Sequence, residues 1–301
     1  MLKLNNVLSC FDGASCAQMA LKRASIKYKN YYASEIEGAA IKVAQHNFPN
    51  TIHLGDIRNI KAKDLPKIDV IFAGSPCTDL SIAGEMNGMT TEDGTSLTTL
   101  KSYLICKKKG LKFVGQSYLF WEFVRLVKEL KPKYFFLENT KMSKIWLYVI
   151  TRELGVEPVL INSSVVSAQN RERYYWTNLP GFVPPVDKKI TLNKLVTGAV
   201  SCGTRGRKLK GDDFYTQVFT KRKDGKANCV VTSPGSTNQY IKNGKINTYS
   251  IELAEKLQTW PVGYTNVKGI SNTEKYRMIG NGWTVDVISH FLKCANKSLK
   301  K

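Results

Sequence analysis

Asn6-Val7-Leu8-Ser9, followed by Cys10-Phe11-Asp12-Gly13-Ala14-Ser15, reads as a short apolar strand that runs into a glycine turn. Ala17, Ala20, Leu21 and Ala24 then recur at helical spacing. Strand, glycine turn and helix in that order open a doubly wound α/β sheet of the nucleotide-binding kind. As a phosphate cradle the turn is poor, because Gly13 stands alone where Gly-x-Gly-x-x-Gly is needed. A cofactor without phosphates fits it better.

The next strand, residues 31–34, ends at Glu35-Ile36. An acid about twenty residues beyond the glycine turn suits ribose hydroxyls, although a glutamate at a helix start is also explained by the helix dipole alone. A helix over 37–45 leads to a third strand ending in Gly55-Asp56-Ile57. Asp56 there suits an adenine amino group and Ile57 the ring face, while aspartate is equally common in plain turns. The three strand ends together outline an adenosine site.

The apolar run 70–73 stops at Gly74-Ser75-Pro76-Cys77-Thr78-Asp79-Leu80-Ser81 and presents one cysteine at a strand's carboxyl end, where ligands of such sheets collect. A free cysteine usually packs as a small hydrophobe. Beside it, a buried strand over 133–137 ends in Glu138-Asn139-Thr140, so one strand end brings a thiol and another a carboxyl group. Extended residues 168–176 send Arg171 and Arg173 to one face. The stretch 82–115, with Lys107-Lys108-Lys109-Gly110, reads as a long lid or binding loop. Helices are expected over 116–130 and 145–154, with a strand over 157–162 between the second helix and the arginines. Alternation fails after Asn178, and 198–245 reads as loop-rich with short strands at best. Helical order returns over 250–260, and Ile279-Gly280-Asn281-Gly282-Trp283 opens a last helix over 284–295.

The 301 residues are 43% hydrophobic, enough for a sizeable core. No apolar run approaches the ~20 residues of a membrane span, and the start has no signal-peptide pattern, so a soluble intracellular chain without membrane attachment is expected. Seven scattered cysteines and three dispersed histidines point to reduced thiols and no metal site. The net charge of +21 favours a polyanionic partner. Residues 188–226 hold eleven basic and three acidic side chains, which localises the surplus to one patch.

These motifs, in this order, resemble the DNA cytosine carbon-5 methyltransferases, most of all the catalytic domain of the de novo type and phage or bacterial relatives. The resemblance rests on Phe11-Asp12-Gly13, Glu35, Asp56, Pro76-Cys77, Glu138-Asn139, Gln169 with Arg171 and Arg173, and Gly280-Asn281. Ser15, Thr78 and Thr140 depart from residues common elsewhere in the family. The resemblance implies a Rossmann-like S-adenosylmethionine-dependent methyltransferase sheet with a smaller loop-rich target-recognition module. The expected division is a catalytic, cofactor-binding domain over 1–183, the small module over 184–249, and a segment over 250–301 that returns to the first.

It further implies transfer of a methyl group from S-adenosyl-L-methionine to a cytosine flipped out of double-stranded DNA, in a prokaryotic or phage-infected cytoplasm, by a monomer or weak homo-oligomer. Cys77, Glu138, Arg171 and Arg173 are the implied catalytic residues, with one arginine on the base and the other on phosphate or structure. Phe11, Asp12, Gly13, Glu35, Ile36, Asp56, Ile57, Pro76, Leu119, Asn281 and Trp283 are the implied cofactor contacts. Arg205, Arg207, Lys208 and Lys210 are the candidate DNA contacts. An RNA cytosine substrate and a catalytically silent DNA-binding protein of the same fold are the competing readings. A dinucleotide-dependent oxidoreductase is disfavoured by the missing glycines.

Overall fold

A computed structural model describes residues 2–77, 79–80, 88–208, 215–233, 235 and 237–300; of residues 205–208 and 215–217 it describes the backbone alone. In chain order the elements are β1 (Asn6–Cys10), α1 (Cys16–Arg23), β2 (Asn30–Ser34), α2 (Gly38–Asn47), β3 (Ile52–His53), β4 (Val70–Gly74), α3 (Leu100–Lys108), α4 (Phe120–Leu130), β5 (Tyr134–Thr140), α5 (Lys144–Leu154), β6 (Val159–Asn162) and β7 (Glu172–Thr177). There follow α6 (Leu192–Leu195), β8 (Val200–Lys208), β9 (Tyr215–Lys221), β10 (Gln239–Lys242), β11 (Lys245–Thr248), α7 (Ile251–Leu257), α8 (Asn272–Asn281) and α9 (Val285–Ser298).

Among the described residues, seven strands form one sheet in the order β3-β2-β1-β4-β5-β7-β6. All of its pairings are parallel except those of β7, which runs antiparallel to both β5 and β6. The central strands are almost wholly apolar because both faces are covered. Val70, Phe72, Tyr134 and Phe136 join a core with Ala17, Leu21, Val285 and Leu292 from α1 and α9. Ile71, Ala73, Phe135 and Leu137 join a second core with Trp121, Phe123, Val149 and Ile150 from α4 and α5. The chain's end is tied to its beginning, with Arg23 paired to Asp286 at 2.6 Å and Leu2 N donating to Asn296 Oδ1 at 2.9 Å.

A four-stranded antiparallel sheet, β11-β10-β8-β9, stands apart from the large one. Its β8 and β9 are nine and seven residues long, which corrects the expectation of short strands at best in this region. The two strands bond mainly to each other, so they do not need the apolar alternation that marks a half-buried strand. The expected loop over 82–115 is corrected as well, because it contains α3. Thr99 and Ser102 form a reciprocal capping box there, and buried Tyr103 and Cys106 anchor the helix on α4. Residues 117–119 form a single 3₁₀ turn ahead of α4, and α8 is a helix where the sequence pattern predicts none. The third strand stops at His53, short of Gly55, whereas β5 runs on through Glu138 to Thr140. Among the described residues no helix is long and apolar enough to cross a membrane.

Candidate active site

The end of β4 is shaped by close packing. A Cβ on Gly74 would lie 2.6 Å from Trp283 Nε1, so only glycine lets the indole cover this strand end. Gly74 pairs with Glu138 on β5, which sets Glu138 beside the turn that carries Cys77. Asn139 holds that turn by donating to Ser75 Oγ at 3.0 Å. Arg173 Nε lies 3.1 Å from Glu138 Oε1, and the Trp283 side chain helps to favour the charged form of this carboxyl group. Burial pushes the Glu138 carboxyl above its ordinary range, with Arg173 and Arg171 pulling against it. Burial also raises the Cys77 thiol, and the Glu138 charge raises it further while the two arginines oppose. Thiol and carboxyl are thus coupled: a proton on Glu138 removes the charge that disfavours the Cys77 thiolate.

Asp79 latches the chain just beyond the cysteine. Its Oδ2 accepts from Gln116 N and Ser117 N, both at 3.0 Å, and its own N–H donates to Ser117 Oγ at 3.2 Å. The long excursion between them is thereby closed at its base. Gly115, at φ +61°, is required because a Cβ there would sit 2.2 Å from Asp79 Oδ2. Neither Asp79 nor Gly115 was singled out from the sequence, since their contact spans 36 positions without a local pattern.

The two arginines share a strand face but differ in surroundings. Arg171 is 3% exposed, and it donates to Cys229 Sγ, Val230 O, Gly280 O and Gly282 O at 2.9–3.3 Å. Buried Gln169 joins the same seam by donating to Leu257 O and accepting from Val230 N. The backbone passes so closely that a Cβ on Gly280 would meet Val231 C at 2.4 Å. Gly280 therefore serves packing against this segment.

At the carboxyl ends of β1 and β2, on the same edge of the sheet, Glu35 Oε2 accepts from Gly13 N at 2.8 Å, while its Oε1 accepts from Ile36 N and Glu37 N. Phe11 and Ser15 hold positive φ around the turn. Asp12 is 7% exposed; Tyr31 donates to its Oδ1 at 2.6 Å, and Oδ2 has no hydrogen-bond partner among the described residues. Burial raises the Asp12 carboxyl to about 6 against the Tyr31 hydrogen bond. Asp56 caps the next 3₁₀ turn and is ion-paired with Arg58. Ile57 is buried, Ile36 is 63% exposed, Pro76 and Leu119 are half-buried, and Asn281 is exposed.

The description "C-5 cytosine-specific DNA methylase" fits residues 5–114 and 104–179. The chain belongs to that family. Over 185 residues it is 30% identical to the orphan methyltransferase M.SPRI of Bacillus phage SPR, and over 196 residues 31% identical to the orphan methyltransferase M.Phi3TI of Bacillus phage phi3T. Each match covers 56% of this chain but only 36% and 43% of the relative, so the chain spans less than half the length of the curated relatives it matches. The solved Entamoeba histolytica methyltransferase EhMeth superposes with a TM-score of 0.66 at 13% identity, over 100% of both chains. The S. pombe Dnmt2 methyltransferase gives 0.64 at 14% identity, over 99% of this chain and 100% of that one. The fold is the Rossmann-like sheet of S-adenosylmethionine-dependent methyltransferases, with a second antiparallel sheet.

Within this family member the structure gathers Cys77, Glu138, Arg171, Arg173 and Trp283 around one strand end, and Asp12, Gly13 and Glu35 around the next. Of the candidate DNA contacts, Lys210 lies outside the described residues, as do the side chains of Arg205, Arg207 and Lys208. Thr78 and residues 81–87 also lie outside them.

Proposed function

We propose that the chain transfers a methyl group to carbon 5 of a cytosine flipped out of double-stranded DNA. The observation that carries this reading is the Gly74–Glu138 register, which sets a thiol and a buried carboxyl group with its Arg173 partner at one strand end. A duplex hides the cytosine ring inside the stack, so the target must leave it to reach Cys77. Cys77 sulfur adds to carbon 6 and makes carbon 5 electron-rich. Glu138 holds the proton that bonds ring nitrogen 3, consistent with a carboxyl raised by burial. Once carbon 5 carries the methyl group, its proton passes to water, the freed electron pair re-forms the 5,6 double bond, and the Cys77–carbon 6 bond breaks to restore the thiolate.

Arg173 is the arginine we assign to the cytosine carbonyl, because it stands on Glu138 and has fewer backbone ties. Arg171, spent on carbonyls of the seam, holds structure.

The residues at β1 and β2 fit S-adenosyl-L-methionine: a buried Asp12 carboxylate oxygen that has no hydrogen-bond partner among the described residues suits a cationic amino acid group, and Glu35 suits ribose. When bound, that cofactor supplies the electrophilic methyl. Phe11, Gly13, Ile36, Asp56, Ile57, Pro76, Leu119, Asn281 and Trp283 would complete its pocket. The basic second sheet, with Arg205, Arg207 and Lys208 on β8, would hold DNA together with Lys210, which lies outside the described residues, and counterion release would make its binding salt-dependent.

Purified protein incubated with methyl-labelled cofactor and duplex DNA or RNA tests this. Label at carbon 5 of DNA cytosines is expected; label in RNA alone would replace the substrate, and label in neither would end the enzyme reading. Cys77→Ser should abolish transfer while cofactor affinity stays within a few-fold, and Glu138→Gln should slow transfer by about 10²–10⁴-fold.

A further inference from the structure

Cys229 belongs to none of the strand ends, yet both active-site arginines act on it. Arg171 Nη1 donates to its sulfur at 3.3 Å, and the Arg173 charge favours its thiolate. Arg173 in turn reaches Glu138 at 3.1 Å. The two guanidiniums therefore stand between two acidic groups, Glu138 and the Cys229 thiol.

A buried guanidinium is costly unless it is paired with opposite charge. The other acceptors on Arg171, namely Val230 O, Gly280 O and Gly282 O, are neutral carbonyls. Of the groups bonded to Arg171, the Cys229 sulfur is the one that can carry charge. Arg171 Nε is also buried without a hydrogen-bond partner among the described residues, so this cation is not over-supplied with acceptors. Burial pushes the Cys229 thiol up, but Arg171 and Arg173 outweigh it and hold the thiol below its ordinary value. The same sulfur lies 3.5 Å from Val230 O, the acceptor for its proton in the thiol form.

We propose that Cys229 is a positioning residue for methyl transfer, its sulfur holding Arg171 so that Arg173 stays turned to Glu138. This rests on the reaction proposed above. Cys229 is brought to the site by the segment after β9, through the bridge between Gln169 and Ala227. The second sheet's chain thus supplies part of the catalytic scaffold. An anionic sulfur also answers the Arg171 charge locally, which leaves Glu138 freer to carry its proton.

The experiment compares wild type, Cys229→Ala and Cys229→Ser. Cys229→Ala should lower kcat by about 10–100-fold while KM for duplex DNA and cofactor affinity change by less than about threefold, because small misplacement at a reacting centre costs rate. Cys229→Ser keeps an acceptor without the charge and should recover part of that loss. Unchanged kcat in the alanine variant, or no recovery with serine, would overturn the proposal.

Thiolate ultraviolet absorbance gives a readout independent of turnover and of the alanine variant's folding. The difference between wild type and Cys229→Ser should titrate below the ~8.5 of a free thiol. A midpoint at or above it would overturn the pairing with the arginines. Should wild type label neither polymer, the reaction reading fails, and this titration still decides whether Cys229 holds Arg171.

Discussion

The carboxyl edge of the large sheet and the seam that joins the small sheet to it are held by different physics. β1, β4 and β5 are fixed by apolar cores on both faces, where burial is strong but non-directional. The seam is fixed by directed polar contacts. Arg171 meets three backbone carbonyls and a sulfur, and Lys226 Nζ donates to Ser164 O, Ser167 O and Ile190 O. Asn228 N donates to Ser201 Oγ and Tyr249 OH. A core locates an element roughly, whereas a satisfied hydrogen-bond network admits one arrangement. The lesson is that the site's depth comes from the sheet and its alignment from the seam.

The contrast breaks most sharply at the two arginines. Arg171→Leu strands three buried carbonyls, so stability to urea should fall by about 3–5 kcal/mol. Arg173→Leu loses an ion pair to a carboxyl group that can take up a proton instead, so stability should fall by less than in Arg171→Leu while methyl transfer falls at least tenfold. Equal losses of stability in the two variants would show that the seam is not the point of alignment.

The next largest effect concerns the latch beneath Cys77. Gly115→Ala puts a Cβ into the Asp79 carboxylate at a positive φ, a cost of about 1–3 kcal/mol that opening the latch relieves. kcat should drop by about tenfold, with little change in cofactor affinity. Adding Asp79→Asn to this variant should cost far less than it does alone, because the two changes break one contact. Additive losses would mean that Asp79 does not act through Gly115.

How much of this could be read from sequence follows the same division. Strands such as 70–74 and 134–140 are legible because fully buried parallel strands must be apolar, and the residues at their ends then declare themselves by position. The helix α3 was hidden among Gly, Thr and Lys, with Tyr103 and Cys106 as its buried residues. β8 and β9 were hidden because their hydrogen bonds, not a hydrophobic face, define them. Arg171 and Arg173 have the same spacing and chemistry, and what separates them is a set of carbonyls drawn from residues 230–282. Cys229 was invisible for the same reason.

The smallest expected effect lies in the cofactor half, at Asp12, where burial rather than alignment dominates. Its carboxyl is raised to about 6 in the fold against 3.8 ordinarily. Above pH 6 it is ionised in both folded and unfolded chains, and the fold bears the cost of burying the charge. As pH falls through about 6 the folded chain takes up a proton that the unfolded chain does not, so stability rises, and the gain is complete below 3.8. Asp12→Asn is neutral throughout and keeps an oxygen for the Tyr31 hydroxyl. Without cofactor it should be more stable than wild type by roughly 1–3 kcal/mol at neutral pH, with the advantage gone by about pH 4. Affinity for S-adenosyl-L-methionine should move the other way at neutral pH, since the variant lacks the charge that meets a cationic group. Melting curves across pH with and without cofactor measure both, and a stability gain independent of pH would show that the fold does not raise the Asp12 carboxyl.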